Sequence, residues 1–218
     1  PLVLPPQLVG EVASSMPELP DAISQRLQAV YGFSKQESAV LVGHFGAPAF
    51  LDAVIWRGSS SPVPKTPEEA AKLEKESGVQ PRSPARCLNW VTTELFGRLG
   101  QRNLKITESP VSPELIGDIV DMIEDGHISG KAGKGVLELA MNGDKRSAKE
   151  IVAEKDWAMI SDPAKLREWA EQAVAGNASA VEKYCTGHAV AAKSAASFVA
   201  GVVIQLSKGK ANPKAAAA

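Results

Sequence analysis

The chain has 218 residues, 44% of them apolar and 22% charged, which excludes wholesale disorder and suffices for a core without staples. Twenty-four Lys and Arg against 25 Asp and Glu leave a net charge of −1, so a surface basic all over is excluded, although a local patch is not. Two cysteines, Cys87 and Cys185, are too few for a disulfide framework or a cysteine-rich zinc site.

The length corresponds to one or two domains. The chain opens on Pro1 and runs directly into Leu2-Val3-Leu4-Pro5-Pro6, the composition of an internal segment, with no basic, acidic-poor leader. No apolar run approaches the roughly eighteen residues of a membrane span. In chain order, helices are predicted over Gln7–Ser15, Ala22–Tyr31, Ser34–Val42, Ala47–Trp56, Pro84–Leu99, Pro113–Asp125, Gly130–Asn142, Ala148–Lys155, Pro163–Ala175, Ala178–Cys185 and Ala189–Ser207. Apolar stripes such as Leu88, Val91, Leu95 and Leu99 carry the helical period. Ser34-Lys35-Gln36-Glu37 and Ser147-Ala148-Lys149-Glu150 fit the capping box, and Thr66-Pro67-Glu68-Glu69 adds a proline at the first helical position. Ser112-Pro113 and Asp162-Pro163 mark further starts, and Gly32, Gly126, Gly143 and Gly176 fall where helices stop. Strand signals are nearly absent, so the predicted class is all-α.

Two loops by composition, Arg57–Pro64 and Gly78–Pro84, flank a short charged helix and read as an insertion within one helical domain. A second boundary falls near Ile106–Pro110, beyond which shorter helices follow closely, as in a compact bundle.

Ser129-Gly130-Lys131-Ala132-Gly133-Lys134-Gly135 lacks the spacing and preceding strand of a phosphate-binding loop. It reads as a small-residue helix start, or as one placing Lys131 and Lys134 on a single face toward nucleic-acid phosphates. Cys185-Thr186-Gly187-His188 has no second metal-ligating pair, and a buried thiol beside a surface imidazole is the expectation. Between Glu108 and Asp125 the local charge is −6, with Asp118, Asp121 and Asp125 on one helix face. That face reads as solvated, with metal or acid–base work as the alternative. From Gly176 onward the balance is +4, carried by Lys183, Lys193, Lys208, Lys210 and Lys214 against Glu182. Lys208 and Lys210 close the last helix, either as a cationic C-cap or as a phosphate-contacting tip. Aromatic residues are spread singly, as with Trp56, Trp90, Trp157 and Trp169, so no platform for stacking unpaired bases is expected.

Several segments together resemble one family. Met16-Pro17-Glu18-Leu19-Pro20-Asp21-Ala22, Tyr31-Gly32-Phe33-Ser34, Ala49-Phe50-Leu51-Asp52-Ala53-Val54 and Asn89-Trp90-Val91-Thr92-Thr93-Glu94-Leu95 are similar to the helical domain of the B subunit of tRNA-dependent amidotransferases, the GatB/YqeY family. Ser112-Pro113-Glu114-Leu115, Ile128-Ser129-Gly130-Lys131, Glu150-Ile151-Val152, Ile160-Ser161-Asp162 and Gly209-Lys210-Ala211-Asn212-Pro213 resemble its tail domain, in the same order. The resemblance implies a helical domain over 1–106, with the insertion at about 58–84, and a YqeY-like tail domain over 107–218. It implies part of a carbon–nitrogen ligase, a glutaminyl-tRNA synthase (glutamine-hydrolysing), that converts Glu-tRNA(Gln), or Asp-tRNA(Asn), with glutamine and ATP. Glutamine hydrolysis then belongs to the A subunit, and phosphorylation with its magnesium to an N-terminal cradle of the B subunit. This stretch would carry no catalytic residue, cofactor or metal, and would grip the corner of the tRNA. The implied partners are tRNA, the A subunit and a small third subunit, with no membrane or DNA. The long insertion implies a mitochondrial matrix version rather than a cytoplasmic one. The expected tRNA-binding residues are Lys131, Lys134, Lys193, Lys208 and Lys210, with Ser129 and Asn212 as polar readers. The contrasting expectation is a non-catalytic protein scaffold docking through the acidic 108–125 face.

Overall fold

The computed structural model describes residue 5 and residues 18–58, 63–78, 80–160, 162–186, 189–207 and 210–212. The predicted helix over Gln7–Ser15, Lys208 and His188 lie outside the described residues. The described residues form helices joined by turns, with no strand among them and only two isolated β-bridges. No described helix is long and apolar enough to cross a membrane. The chain divides into two compact units, 1–109 and 110–218.

The first unit contains α1 (Pro20–Tyr31), α2 (Lys35–Val42), α3 (Ala47–Ile55), α4 (Pro67–Ser77), α5 (Pro84–Asn89) and α6 (Phe96–Gln101). A π-helical stretch, Trp90–Leu95, joins α5 to α6, and a 3₁₀ turn follows at Ile106–Glu108. α1 begins two residues before its predicted start because Pro20 occupies the first turn, where its fixed φ and missing N–H cost nothing. Its stop is Gly32, at φ 72°, a left-handed position that favours glycine. The Ser34/Glu37 capping box forms at α2. At α4, Thr66 caps the Glu69 amide as predicted, but the Glu69 carboxylate accepts from the Lys65 amide, one residue earlier than a capping box requires. The apolar stripe Leu88, Val91, Leu95 and Leu99 is buried, together with Leu27, Leu41, Leu51 and Ile55.

The insertion is anchored at its ends. The Arg57 guanidinium donates to the Gln80 carbonyl, and the Arg82 backbone and side chain donate to the carbonyls of Ile55 and Val54. The chain thus returns to the end of α3 where it left, so the intervening length perturbs the core little.

Charge also enters this core. Arg26 and Asp52, 8% and 2% exposed, form a two-pronged pair at 3.2 and 3.0 Å. Glu18 accepts a third bond from Arg26, the Tyr31 hydroxyl donates to Asp52 at 2.6 Å, and the Trp56 indole donates to Tyr31. Burial alone lowers the Arg26 pKa, but the Asp52 and Glu18 carboxylates outweigh it and leave the group above its ordinary value. Burial and the Asp52 charge together push the Tyr31 phenol well above its ordinary range.

The second unit holds α7 (Pro113–Glu124), α8 (Gly130–Met141), α9 (Ala148–Glu154), α10 (Pro163–Ala175), α11 (Ala178–Thr186) and α12 (Ala189–Leu206). Helices α7, α8 and α9 pack together over Ile116, Ile119, Val120, Val136, Leu137 and Ile151. Helices α10, α11 and α12 form a second group around Leu166, Ala173, Val203 and Ala211. Ser112, Ser147 and Asp162 cap their helices as predicted. Gly126 and Gly143 are left-handed, at φ 72° and 95°, whereas Gly176 stays right-handed at φ −79° and is not required as glycine by its backbone angle.

Candidate nucleic-acid interface

Three segments distant in sequence meet in the second unit. Ile128 bridges Ala158 in antiparallel sense, and Ile160 bridges Ala211 in parallel sense. The Met159 amide donates to the His127 carbonyl at 2.7 Å, and the Ile160 amide to the Lys210 carbonyl at 2.6 Å. Ser207, buried, fixes the third segment: its hydroxyl donates to Ile204 and accepts the Ala211 amide at 2.9 Å. The result is a small backbone knot joining the start of α8, the end of α9 and the exit of α12.

The knot gathers part of the expected set. Ser129 is the N-cap of α8, its hydroxyl accepting from the Ala132 amide at 3.2 Å. Asn212 donates its side-chain amide to the Gly126 carbonyl and lies so close that a Cβ on Gly126 would meet its Nδ2 at 2.4 Å. Lys210 pairs with Asp156, itself left-handed at φ 53°. Lys131 and Lys134 stand exposed on the first turns of α8. That helix start also carries the positive end of the helix dipole. Gly135, on the next turn, lies beneath the Trp157 ring, where a Cβ would come within 2.6 Å of ring carbon. Lys193 is exposed but stands apart, separated by about 20 Å of α12 from the helix end that feeds the knot.

Asn212 therefore ties the knot together, bonding both Gly126 and Ile160, while Ser129 caps the helix that leaves it. The sequence places the lysines on helices but does not show the bridges, whose partners lie 30 and 51 residues apart and leave no periodic trace; the Gly126–Asn212 bond spans 86. The acidic face is engaged in part, since Asp118, Asp121 and Glu124 each have an interaction partner, while Asp125 is exposed. Among the described residues no group of three metal-ligating side chains forms. The expectation of a buried Cys185 is corrected: this thiol is exposed near the end of α11, and Cys87 is the buried one.

In the first unit the fold also gathers aromatic residues from separate elements. The fold brings His44 and Phe96 together, with ring centroids 4.4 Å apart and planes tilted by 33°. Phe45 beside them is 89% exposed. These residues line an open groove of about 680 Å³ in the first unit, with Gly100, Lys105 and Thr107 on its walls.

The architecture is that of an all-α, two-unit protein whose second unit presents a lysine-bearing helix start braced by a backbone knot. Residues 73–218 match the GatB_Yqey family, described as the GatB domain, and the chain belongs to that family. It is 38% identical over 169 residues to the B subunit of the mitochondrial glutamyl-tRNA(Gln) amidotransferase of Phytophthora infestans, covering 77% of this chain and 26% of that protein. It is 33% identical to the B subunit of an aspartyl/glutamyl-tRNA(Asn/Gln) amidotransferase of Cereibacter sphaeroides, covering 99% of this chain and 37% of that one. The counterpart from Persephonella marina is 30% identical, with coverages of 98% and 40%. The chain thus spans between a quarter and two fifths of the length of these relatives.

Proposed function

We propose that this chain is the tRNA-binding, C-terminal portion of the B subunit of a tRNA-dependent amidotransferase that converts Glu-tRNA(Gln) to Gln-tRNA(Gln). What carries the reading is the similarity to amidotransferase B subunits along 98 to 99% of the chain. The complete enzyme uses glutamine as ammonia donor and ATP with magnesium to activate the side-chain carboxylate. Those steps belong to the A subunit and to a cradle domain of the B subunit, and the small third subunit completes the assembly. The similarity to a mitochondrial relative, together with the long insertion, supports work in the mitochondrial matrix.

In this reading the chain positions RNA and does no chemistry. Lys131 and Lys134 extend from a helix start whose dipole favours phosphate, Lys210 lies at the α12 exit, and Lys208, two residues earlier in sequence, belongs to the same expected set. Lys193 adds a contact farther along α12. Phosphate contacts set register without reading sequence, so discrimination comes from the shape of the tRNA corner. Asn212 serves that shape by fixing the knot, and Ser129 by capping the helix from which Lys131 and Lys134 extend. The carboxylates of α7, Glu114, Asp118, Asp121 and Glu124, repel the backbone and restrict the docking direction.

The test is tRNA binding by the assembled complex across salt concentration, with wild type, Lys131→Ala/Lys134→Ala and Lys208→Ala/Lys210→Ala. Removing one lysine–phosphate pairing flattens the dependence of log K on log salt by roughly 0.7 to 0.9. Unchanged affinity and slope in a variant remove those lysines from the surface. Absence of salt-sensitive binding by the wild type favours a protein-docking scaffold through the acidic face.

A further inference from the structure

The groove of the first unit has features that the fold does not need. The α2–α3 turn leaves the Phe45 ring in water at 89% exposure, although buried Leu41 and Ala47 flank the same turn. Beside it the His44 ring is held in place, its Nδ1 2.9 Å from the Val40 carbonyl, and it lies against Phe96. The opposite wall is equally fixed. Gly46 is left-handed at φ 85°, and a Cβ there would meet the Thr107 methyl at 2.8 Å, so the turn and the 3₁₀ segment sit as close as glycine permits.

Two helical glycines add an independent observation. A Cβ on Gly97 or Gly100 would meet nothing within 4 Å, so neither glycine is required by the packing of this chain. Helix interiors ordinarily disfavour glycine relative to alanine. Gly100 lines the groove, and its missing side chain keeps that wall low for an incoming group.

We propose that this groove receives an unpaired base of the RNA, stacked on Phe45 and on the His44–Phe96 pair. The inference rests on the tRNA reading above and names a second contact, in the first unit. The lining joins an apolar floor, where Leu99, Leu104 and Ile106 lie beside the rings, to a charged and polar edge, the two characters that a base presents. Flat rings supply a stacking surface, while Lys105, Thr107 and Glu108 place charge and hydrogen-bonding groups at the edge, as the polar rim of a base requires. The exposed Lys105 ammonium meets the adjoining phosphate. The Glu108 carboxylate accepts from the Lys105 amide at 3.1 Å, which fixes it as an acceptor for a base amino group. The volume of about 680 Å³ accommodates a nucleotide.

The experiment measures binding of an unmodified tRNA(Gln) transcript by the full-length protein in its assembled complex. Phe45→Ala is expected to weaken binding roughly 5- to 150-fold, the range for loss of one stacked base, with the salt slope unchanged. Phe45→Trp is expected to keep the affinity, and its added fluorescence to be quenched when tRNA binds. Because Phe45 is exposed, the thermal midpoint of both variants should match the wild type. If Phe45→Ala binds as tightly as wild type while binding remains salt-dependent, the groove proposal fails and the tRNA reading stands. If the wild-type complex shows no salt-dependent tRNA binding, the underlying reading fails as well. Failure of the complex to assemble in Phe45→Ala, with the fold intact, makes the groove a protein interface and overturns the proposal.

Discussion

Asp52→Ala is the most informative single change to the first unit. It removes a 2%-exposed carboxylate that accepts two bonds from Arg26 and one from Tyr31. Arg26 keeps Glu18, but that carboxylate bonds the Nε edge, so both terminal nitrogens lose their buried partner. Breaking a buried ion pair from one side costs about 3 to 5 kcal/mol, because the surviving charge is left uncompensated. Replacing both partners by apolar groups of similar volume is close to neutral, so Arg26→Met/Asp52→Leu should be more stable than Asp52→Ala. Urea unfolding, followed by fluorescence in a Trp157→Phe/Trp169→Phe background, leaves Trp56 and Trp90 to report on this unit. With a slope of about 1 to 3 kcal/mol per molar urea, the single change should move the midpoint by roughly 1 to 5 M. A loss below about 1 kcal/mol, or a double variant no better than the single one, refutes the view that the pair is a buried, mutually dependent unit.

Three further outcomes follow from the same geometry. Gly126→Ala is expected to cost about 1 to 3 kcal/mol, since it strains a left-handed residue and drives a methyl against Asn212; lowered hydrogen-exchange protection at the Ile160 amide would localise the damage to the knot. Gly135→Ala should overpack the Trp157 ring by about 1 to 3 kcal/mol, with a shift in Trp157 emission; an unshifted spectrum contradicts the packing. Asp144 has its pKa held down to about 2 by hydrogen bonds from the Arg146 side chain and backbone. The depressed value means that this stabilisation is present above the ordinary aspartate pKa and is lost as pH falls toward 2. In Arg146→Gln the Asp144 titration, followed by carboxyl NMR shifts, should move up toward its ordinary position.

Much of the candidate interface was legible as local chemistry. Ser129 followed by Gly130 and Lys131 is a helix start in sequence and in structure, and its cap bond forms as the residue types require. The π-helical turn at Trp90–Leu95 left no mark, because an apolar stripe spaced by three and four residues fits a continuous α-helix just as well. Lys210 reads as a cationic C-cap or a phosphate-contacting tip, and in the fold its ammonium meets Asp156, 54 residues earlier.

The sequence by itself determined that the protein is helical, where most helices start and which faces they bury, since caps and the 3.6-residue period act over a few neighbouring residues. Only the tertiary structure decided what those faces bring together. Arg26 and Asp52 look like two surface charges until helix packing removes them from water and makes each the other's necessary partner. His44, Phe45 and Phe96 look like scattered aromatics until the α2–α3 turn meets α6. Such pairings are set by the docking of whole helices, whose free energy is distributed over the core and written in no single stretch of chain.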